Sequence, residues 1–75
     1  MNEQNNSRNI QDAFLNQARK NAIPVDIHIT NGYLISGAKI VSFDNYAIIV
    51  EAGGKQMLVY KHAVSTVTPQ SALEL

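Results

Sequence analysis

The sequence contains no cysteine. That removes disulfides and thiolate zinc sites as ways of stapling a small fold. There are two histidines, His28 and His62, with no metal-ligand cluster around either, so no metal or cofactor is expected. Charge of either sign is not in excess: six basic and six acidic residues leave a formal net charge of zero. An overall basic footprint for nucleic acid is therefore lacking, while a local patch stays open, because fields follow distribution as well as total. No apolar run approaches the ~20 residues of a membrane-spanning helix. The segment Met1–Arg8 is polar and asparagine-rich, without the apolar core of a signal peptide. These absences lead to the expectation of a soluble, cytoplasmic protein without a membrane partner. At 75 residues the chain is one domain near the lower limit for a self-sufficient core. With disulfides and metals removed as staples, oligomerisation is the remaining one.

The chain begins with a stretch expected to be a flexible arm, residues 1–8, polar and without core-forming side chains after Met1. A helix is expected next. Ile10, Ala13, Phe14 and Ala18 recur at helical spacing. Ser7 or Asn9 is available as N-cap, Asp12 suits the first turn, and Arg19 and Lys20 suit the last. Pro24 forbids continuation, so the helix should end near Ala22. The period then changes to two. Val25, Ile27 and Ile29 alternate with Asp26, His28 and Thr30, as in a half-buried strand. Asn31-Gly32 is a strong hairpin signal, expected as a type I′ turn. A second strand runs from about Tyr33 to Phe43, with Gly37 marking a bulge or bend. Asp44-Asn45 turns the chain into a third strand, Tyr46–Glu51, whose Ala47-Ile48-Ile49-Val50 core is apolar enough for burial on both faces. Gly53-Gly54 turns it again into a fourth, Lys55–Tyr60. A short turn holds Lys61-His62-Ala63. Val64–Thr68 forms a fifth strand ended by Pro69, and residues 70–75 are a brief tail.

One helix followed by five short strands in hairpin succession predicts a mainly β fold. The sheet is antiparallel and strongly bent, an SH3-like or OB-like partial barrel with the helix across one end. Such a sheet has two edges, and exposed edges pair with something. Head-to-tail pairing between copies closes into a ring when the rotation allows.

Several segments carry a resemblance to a known family. They are Ile10-Gln11-Asp12-Ala13-Phe14-Leu15-Asn16, Asn31-Gly32 through Gly37, Ser42-Phe43-Asp44-Asn45-Tyr46, and Gln56 through Tyr60-Lys61-His62-Ala63-Val64-Ser65-Thr66. In these the chain resembles Hfq, the bacterial Sm-like (LSm) RNA chaperone family, over roughly Ile10–Pro69. The short tail is more like the Gram-positive branch. The resemblance implies an Sm-like domain over residues 9–69 and a homohexameric ring. It also implies binding of single-stranded RNA and promotion of pairing between small regulatory RNAs and mRNAs.

By the same resemblance the helix-bearing (proximal) face binds uridine-rich RNA through Gln11, Asn45, Tyr46, Lys61 and His62. The chemistry is reasonable. Tyr46 offers a stacking face, Lys61 and Gln11 can hydrogen-bond uracil carbonyls, and a neutral imidazole still donates one hydrogen bond. Taken singly, each has a blander use: a strand-pairing aromatic, a solvated cation, a structural histidine, a turn asparagine, a helix-surface glutamine. The opposite (distal) face is implied to bind adenine-rich RNA through His28, Asn31, Gly32, Tyr33, Leu34, Ile35, Ser36, Gln56 and Thr66. His28 departs from the family's usual phenylalanine or tyrosine. It offers less stacking area, and histidine as a residue type titrates near pH 6.5 in unperturbed form, so weaker or pH-sensitive binding is expected. The lateral rim, arginine-rich in many relatives, is reduced here to Arg19 and Lys20, which equally suit the helix dipole. The alternative is a ring or SH3-like module that binds protein through its edges and exposed tyrosines. Catalysis by Lys61 and His62 is not expected, because a general base needs an orienting partner and a pocket.

Overall fold

The computed structural model describes residues 3–74. Helix α1 spans Glu3–Lys20. It is followed by β1 (Val25–Ile29), β2 (Leu34–Phe43), β3 (Ala47–Ala52), β4 (Lys55–Tyr60), a single 3-10 turn (Lys61–Ala63) and β5 (Val64–Pro69). The strands form one antiparallel sheet in the order β4-β3-β2-β1-β5. This is the expected helix followed by a five-stranded antiparallel sheet. Among the described residues no helix is long and apolar enough to cross a membrane.

The helix starts earlier than expected. The stretch 3–8, expected as part of a flexible arm, is helical, and Met1 and Asn2 lie outside the described residues. Ser7 and Asn9 are therefore interior positions rather than N-caps, and Asp12 is beyond the first turn. The physical reason is that nothing between Glu3 and Asn9 breaks a helix: the stretch has neither glycine nor proline. The buried face also differs from the expected stripe. Leu15 and Ala18 are buried with Phe14 packed beside them, while Ile10 is 68% exposed and Ala13 also faces out.

The C-terminus of α1 closes by paired backbone bonds. Ile23 N–H donates to Ala18 O (2.9 Å) and Ala22 N–H to Arg19 O (3.2 Å). Ala22 adopts φ 53°, the left-handed position of this capping motif that glycine usually fills. A Cβ there is strained. Ala22→Gly is expected to raise stability by about 0.5–1 kcal/mol, read as a higher Tm in thermal melts.

The β1–β2 connection is a hairpin of a different type from the expected one. Gly32 has φ 93°, whereas Asn31 is not in the left-handed region. Gly32 N–H donates to Ile29 O (2.8 Å) and Ile29 N–H to Tyr33 O (2.8 Å). The loop is thus three residues, Thr30-Asn31-Gly32, with only its last position left-handed. Asn31 contributes through its side chain, whose Oδ1 accepts the Tyr33 N–H at 2.9 Å.

Strand β2 makes the bend. Its first half pairs with β1 and its second half with β3. Within the β1-paired half lies a bulge at Ser36-Gly37, opposite Asp26 in β1, with Gly37 at φ 65°. Asp26 Oδ1 ties this bulge down by accepting the Gly37 N–H (2.9 Å), the Ser36 hydroxyl (3.3 Å) and the Gln70 amide (3.4 Å). Gln70 N–H also donates to Pro24 O (2.9 Å), so the segment after β5 is held against the start of β1.

The core sits between the inner face of the sheet and α1. Val25, Ile27, Ile48 and Val50 are its largest fully buried side chains. Strand β3 alternates rather than being buried on both faces: Ile48 and Val50 point inward, Ala47 and Ile49 are half-buried. Strands β4 and β5 end the sheet, each with a neighbour on one side. Leu58 and Tyr60 on β4 are more than half exposed. An apolar groove lined by Ile10, Phe14, Val64 and Val67 runs between α1 and β5.

Candidate nucleic-acid interface

The 3-10 turn between β4 and β5 gathers residues from three parts of the chain. Lys61 N–H donates to Tyr46 O (2.8 Å), which fixes the turn against the β2–β3 loop. The Lys61 ammonium donates to Gln11 Oε1 on α1 (3.4 Å) and lies 5.5 Å from the centre of the Phe43 ring. The ring attracts the cation electrostatically. The Tyr60 ring stacks on the His62 imidazole, with centroids 5.7 Å apart and an interplanar angle of 18°. Tyr46 is 76% exposed, and Asn45 and His62 are exposed beside it in sequence or through the turn. Gln11, Tyr46 and Lys61 are thus brought together. His62 follows Lys61 in the same turn.

Asp44 builds the loop that presents Tyr46. Its Oδ1 accepts the N–H groups of Tyr46 and Ala47, both at 2.8 Å, and its own N–H donates to Ala47 O at 3.0 Å. This is the turn-fixing role expected from the Asp44-Asn45 signal. The Tyr46 and Ala47 N–H bonds, with the Lys61 charge adding, hold the Asp44 carboxyl below its usual pKa despite some desolvation. Asp26 is lowered in the same way, first by the Gly37 N–H. Both carboxylates favour the folded state when ionised. Their contribution is complete above the ordinary aspartate pKa of about 3.9 and is lost as pH falls through the lowered folded value. Asp44→Ala is therefore expected to have a lower Tm than the parent at pH 7. The gap should close below about pH 3.9, as melts across pH 2.5–7 would register.

On the opposite side of the sheet, His28 in β1 is flanked in register by Leu34 of β2 and Thr66 of β5. All three are exposed, and Tyr33 stands at the hairpin end, 61% exposed. The Ser65 hydroxyl donates to His28 O (3.2 Å), which secures β5 at this point. Ser36 sits in the bulge with its hydroxyl on Asp26. Ile35 is a correction to the expected surface: it is 6% exposed and belongs to the core, so its side chain offers nothing to a ligand. Asn31 and Gly32 shape the hairpin, the one through its side chain and the other through its positive φ. Gln56 is not brought to this group within one chain. It lies on β4, at the far edge from β5, directly opposite Glu51 of β3.

Arg19 and Lys20 occupy the last turn of α1. The Arg19 guanidinium donates to Asn16 Oδ1 at 2.6 Å. Arg19 and Asn16 border a shallow depression with Val41, Ser42 and Phe43.

Phe43, Tyr60 and Asp26 take part in these arrangements, although none of them is among the site residues expected from the sequence. Phe43 and Lys61 meet only because the two loops that carry them are bonded to each other. For Tyr60 the signal is its i, i+2 spacing to His62 across the strand end.

The family model described as Hfq protein matches residues 10–74. The RNA-binding protein Hfq of Clostridium acetobutylicum is 57% identical over 63 residues, covering 84% of this chain and 76% of that protein. The RNA-binding protein Hfq of Clostridium kluyveri is 55% identical over 67 residues, covering 89% and 80%. Among solved structures, a crystal structure of the pleiotropic translational regulator Hfq superposes with a TM-score of 0.76 at 37% identity, covering 79% of this chain and 97% of that one. The matched span runs from the middle of α1 through every strand and includes Gln11, Tyr46, Lys61 and His62. By sequence model, by curated relatives and by fold, this chain belongs to the Hfq family.

Proposed function

We propose that the chain forms a homohexameric ring that binds single-stranded RNA and promotes pairing between small regulatory RNAs and mRNAs, acting in the cytoplasm. The observation that carries this is the convergence of Gln11, Tyr46 and Lys61 at one turn in a chain of zero net charge. A cation, an amide and an exposed aromatic face are the groups that recognise an unstacked pyrimidine. His62 and Asn45 complete a uridine-rich site on the helix-bearing face. Repetition around a ring concentrates the lysines at its centre and multiplies a modest contact by avidity.

Ring closure is supported by the two sheet edges and by the apolar groove beside β5. A neighbour's β4 laid along this chain's β5 would complete the ladder and cover the exposed Leu58 and Tyr60. The same step brings the neighbour's Gln56 toward this chain's Thr66 and His28. Together with Tyr33, Leu34 and Ser36, and with Asn31 and Gly32 shaping the turn, these form an adenine-rich site on the opposite face. Ile35 contributes backbone only. Arg19 and Lys20 give the rim a reduced positive charge for annealing.

Photo-crosslinking tests the assignment of faces. Uridine-rich oligomers should attach at Tyr46 or the Lys61-His62 turn, and adenine-rich oligomers at Tyr33 or His28. Crosslinks of both oligomers to one face, or none, would contradict it.

A further inference from the structure

Glu51 of β3 lies directly opposite Gln56 of β4, at the hairpin that forms the sheet edge. Both are exposed on the side away from the core. The Gln56 side-chain amide nitrogen, Nε2, donates to Glu51 Oε2 at 3.5 Å. On its other side Glu51 is the register partner of Lys39 in β2, also exposed, so the carboxylate sits between a cation and an amide across three strands.

This contact has a chemical consequence. An ionised carboxylate only accepts hydrogen bonds, whereas a glutamine amide carries two donors on nitrogen and one accepting oxygen. The end of Gln56 that faces Glu51 must therefore be the NH₂. Its Oε1 is then directed away from Glu51 as an acceptor. Without the carboxylate the amide could turn over and present either end.

We infer that Glu51 is a positioning residue that fixes the Gln56 amide so that this site reads an exocyclic amine. The ligand class is a base with an amino group at the reading edge, adenine above all. A base with a carbonyl oxygen there, such as hypoxanthine or guanine, meets oxygen against oxygen. The inference rests on the proposed adenine-rich face and adds to it a determinant of which purine is accepted. Lys39 beside Glu51 offsets the negative charge that would otherwise repel the RNA backbone.

The test compares an adenine-rich oligomer with one of the same length in which inosine replaces adenosine. Inosine keeps the purine ring and exchanges the amino group for a carbonyl oxygen. Binding of both is measured for the parent protein, Glu51→Gln and Gln56→Ala, with a uridine-rich oligomer as control. The parent should prefer adenine-rich RNA about tenfold or more, the range of one well-placed base-edge contact. Glu51→Gln should bring the preference to within about threefold, mainly by gaining affinity for inosine, with uridine-rich binding unchanged. Gln56→Ala should lose the preference by weakening adenine instead. A parental preference that Glu51→Gln leaves unchanged overturns the role of Glu51 alone. Failure of the parent to bind adenine-rich RNA overturns the face assignment and the inference with it.

Discussion

Lys61→Ala is expected to lower affinity for uridine-rich RNA by roughly 10- to 100-fold, the range of one lost charge-assisted hydrogen bond. The oligomer and the fold should survive the change. The turn is held by the Lys61 backbone N–H on Tyr46 O, which any non-proline side chain preserves. The ammonium itself touches Gln11 and the Phe43 ring, and neither contact belongs to the sheet ladder. Adenine-rich binding should stay within about threefold of the parent, because the other face keeps its groups and a distant site couples weakly. Binding titrations with both oligomers, run beside size-exclusion chromatography, separate these effects. Dissociation of the oligomer by Lys61→Ala would mean that the side chain serves assembly rather than RNA.

The largest expected effect on stability comes from Ile27→Ala. Ile27 is fully buried in β1, the strand between β2 and β5. Truncating such a side chain costs about 2–5 kcal/mol, through lost transfer energy and an unfilled cavity. A domain of this size has only about 3–5 kcal/mol from its own core. An isolated chain carrying Ile27→Ala should therefore be largely unfolded. Assembly changes the outcome by mass action, since partners that bind only the folded chain raise its apparent stability. The variant should melt at a temperature that rises with protein concentration, and well below the parent at equal concentration. Circular dichroism melts over a hundredfold range of concentration would show this. A melting temperature independent of concentration would mean that the single chain is self-sufficient. Leu34→Ala serves as the contrast: Leu34 is 46% exposed, and its loss should change the melting temperature little.

The fold was legible in the sequence because two signals agreed. The hydrophobic period changes from helical to two after Pro24, and turn residues separate five short runs. What was not legible has local causes. Residues 3–8 carry no apolar stripe, so nothing in their pattern distinguishes a polar helix from a polar arm. Asn31-Gly32 marks the first hairpin correctly but not its type. Two-residue and three-residue loops share these residues, and the choice depends on how the strands meet. The resemblance places Ile35 on the surface together with its neighbours. The alternation of β2 sends it inward, and the bulge at Ser36-Gly37 then exposes two consecutive residues. The candidate site was less legible still. Gln11 and Lys61 are 50 positions apart, and in the sequence only the family resemblance joins them. The contacts of Lys61 with Phe43, of Tyr60 with His62 and of Glu51 with Gln56 arise from register and turn geometry. Single-sequence periodicity does not encode either.

On the proposed function, one small chain makes a ring with two distinct RNA-binding faces. Native mass spectrometry with a uridine-rich oligomer, an adenine-rich oligomer and both together tests it most directly. The predicted result is a species six times the mass of the 8.2 kDa chain, binding each oligomer alone and both at once. A monomer, a ring that takes up neither oligomer, or a ring on which the two displace each other would contradict it.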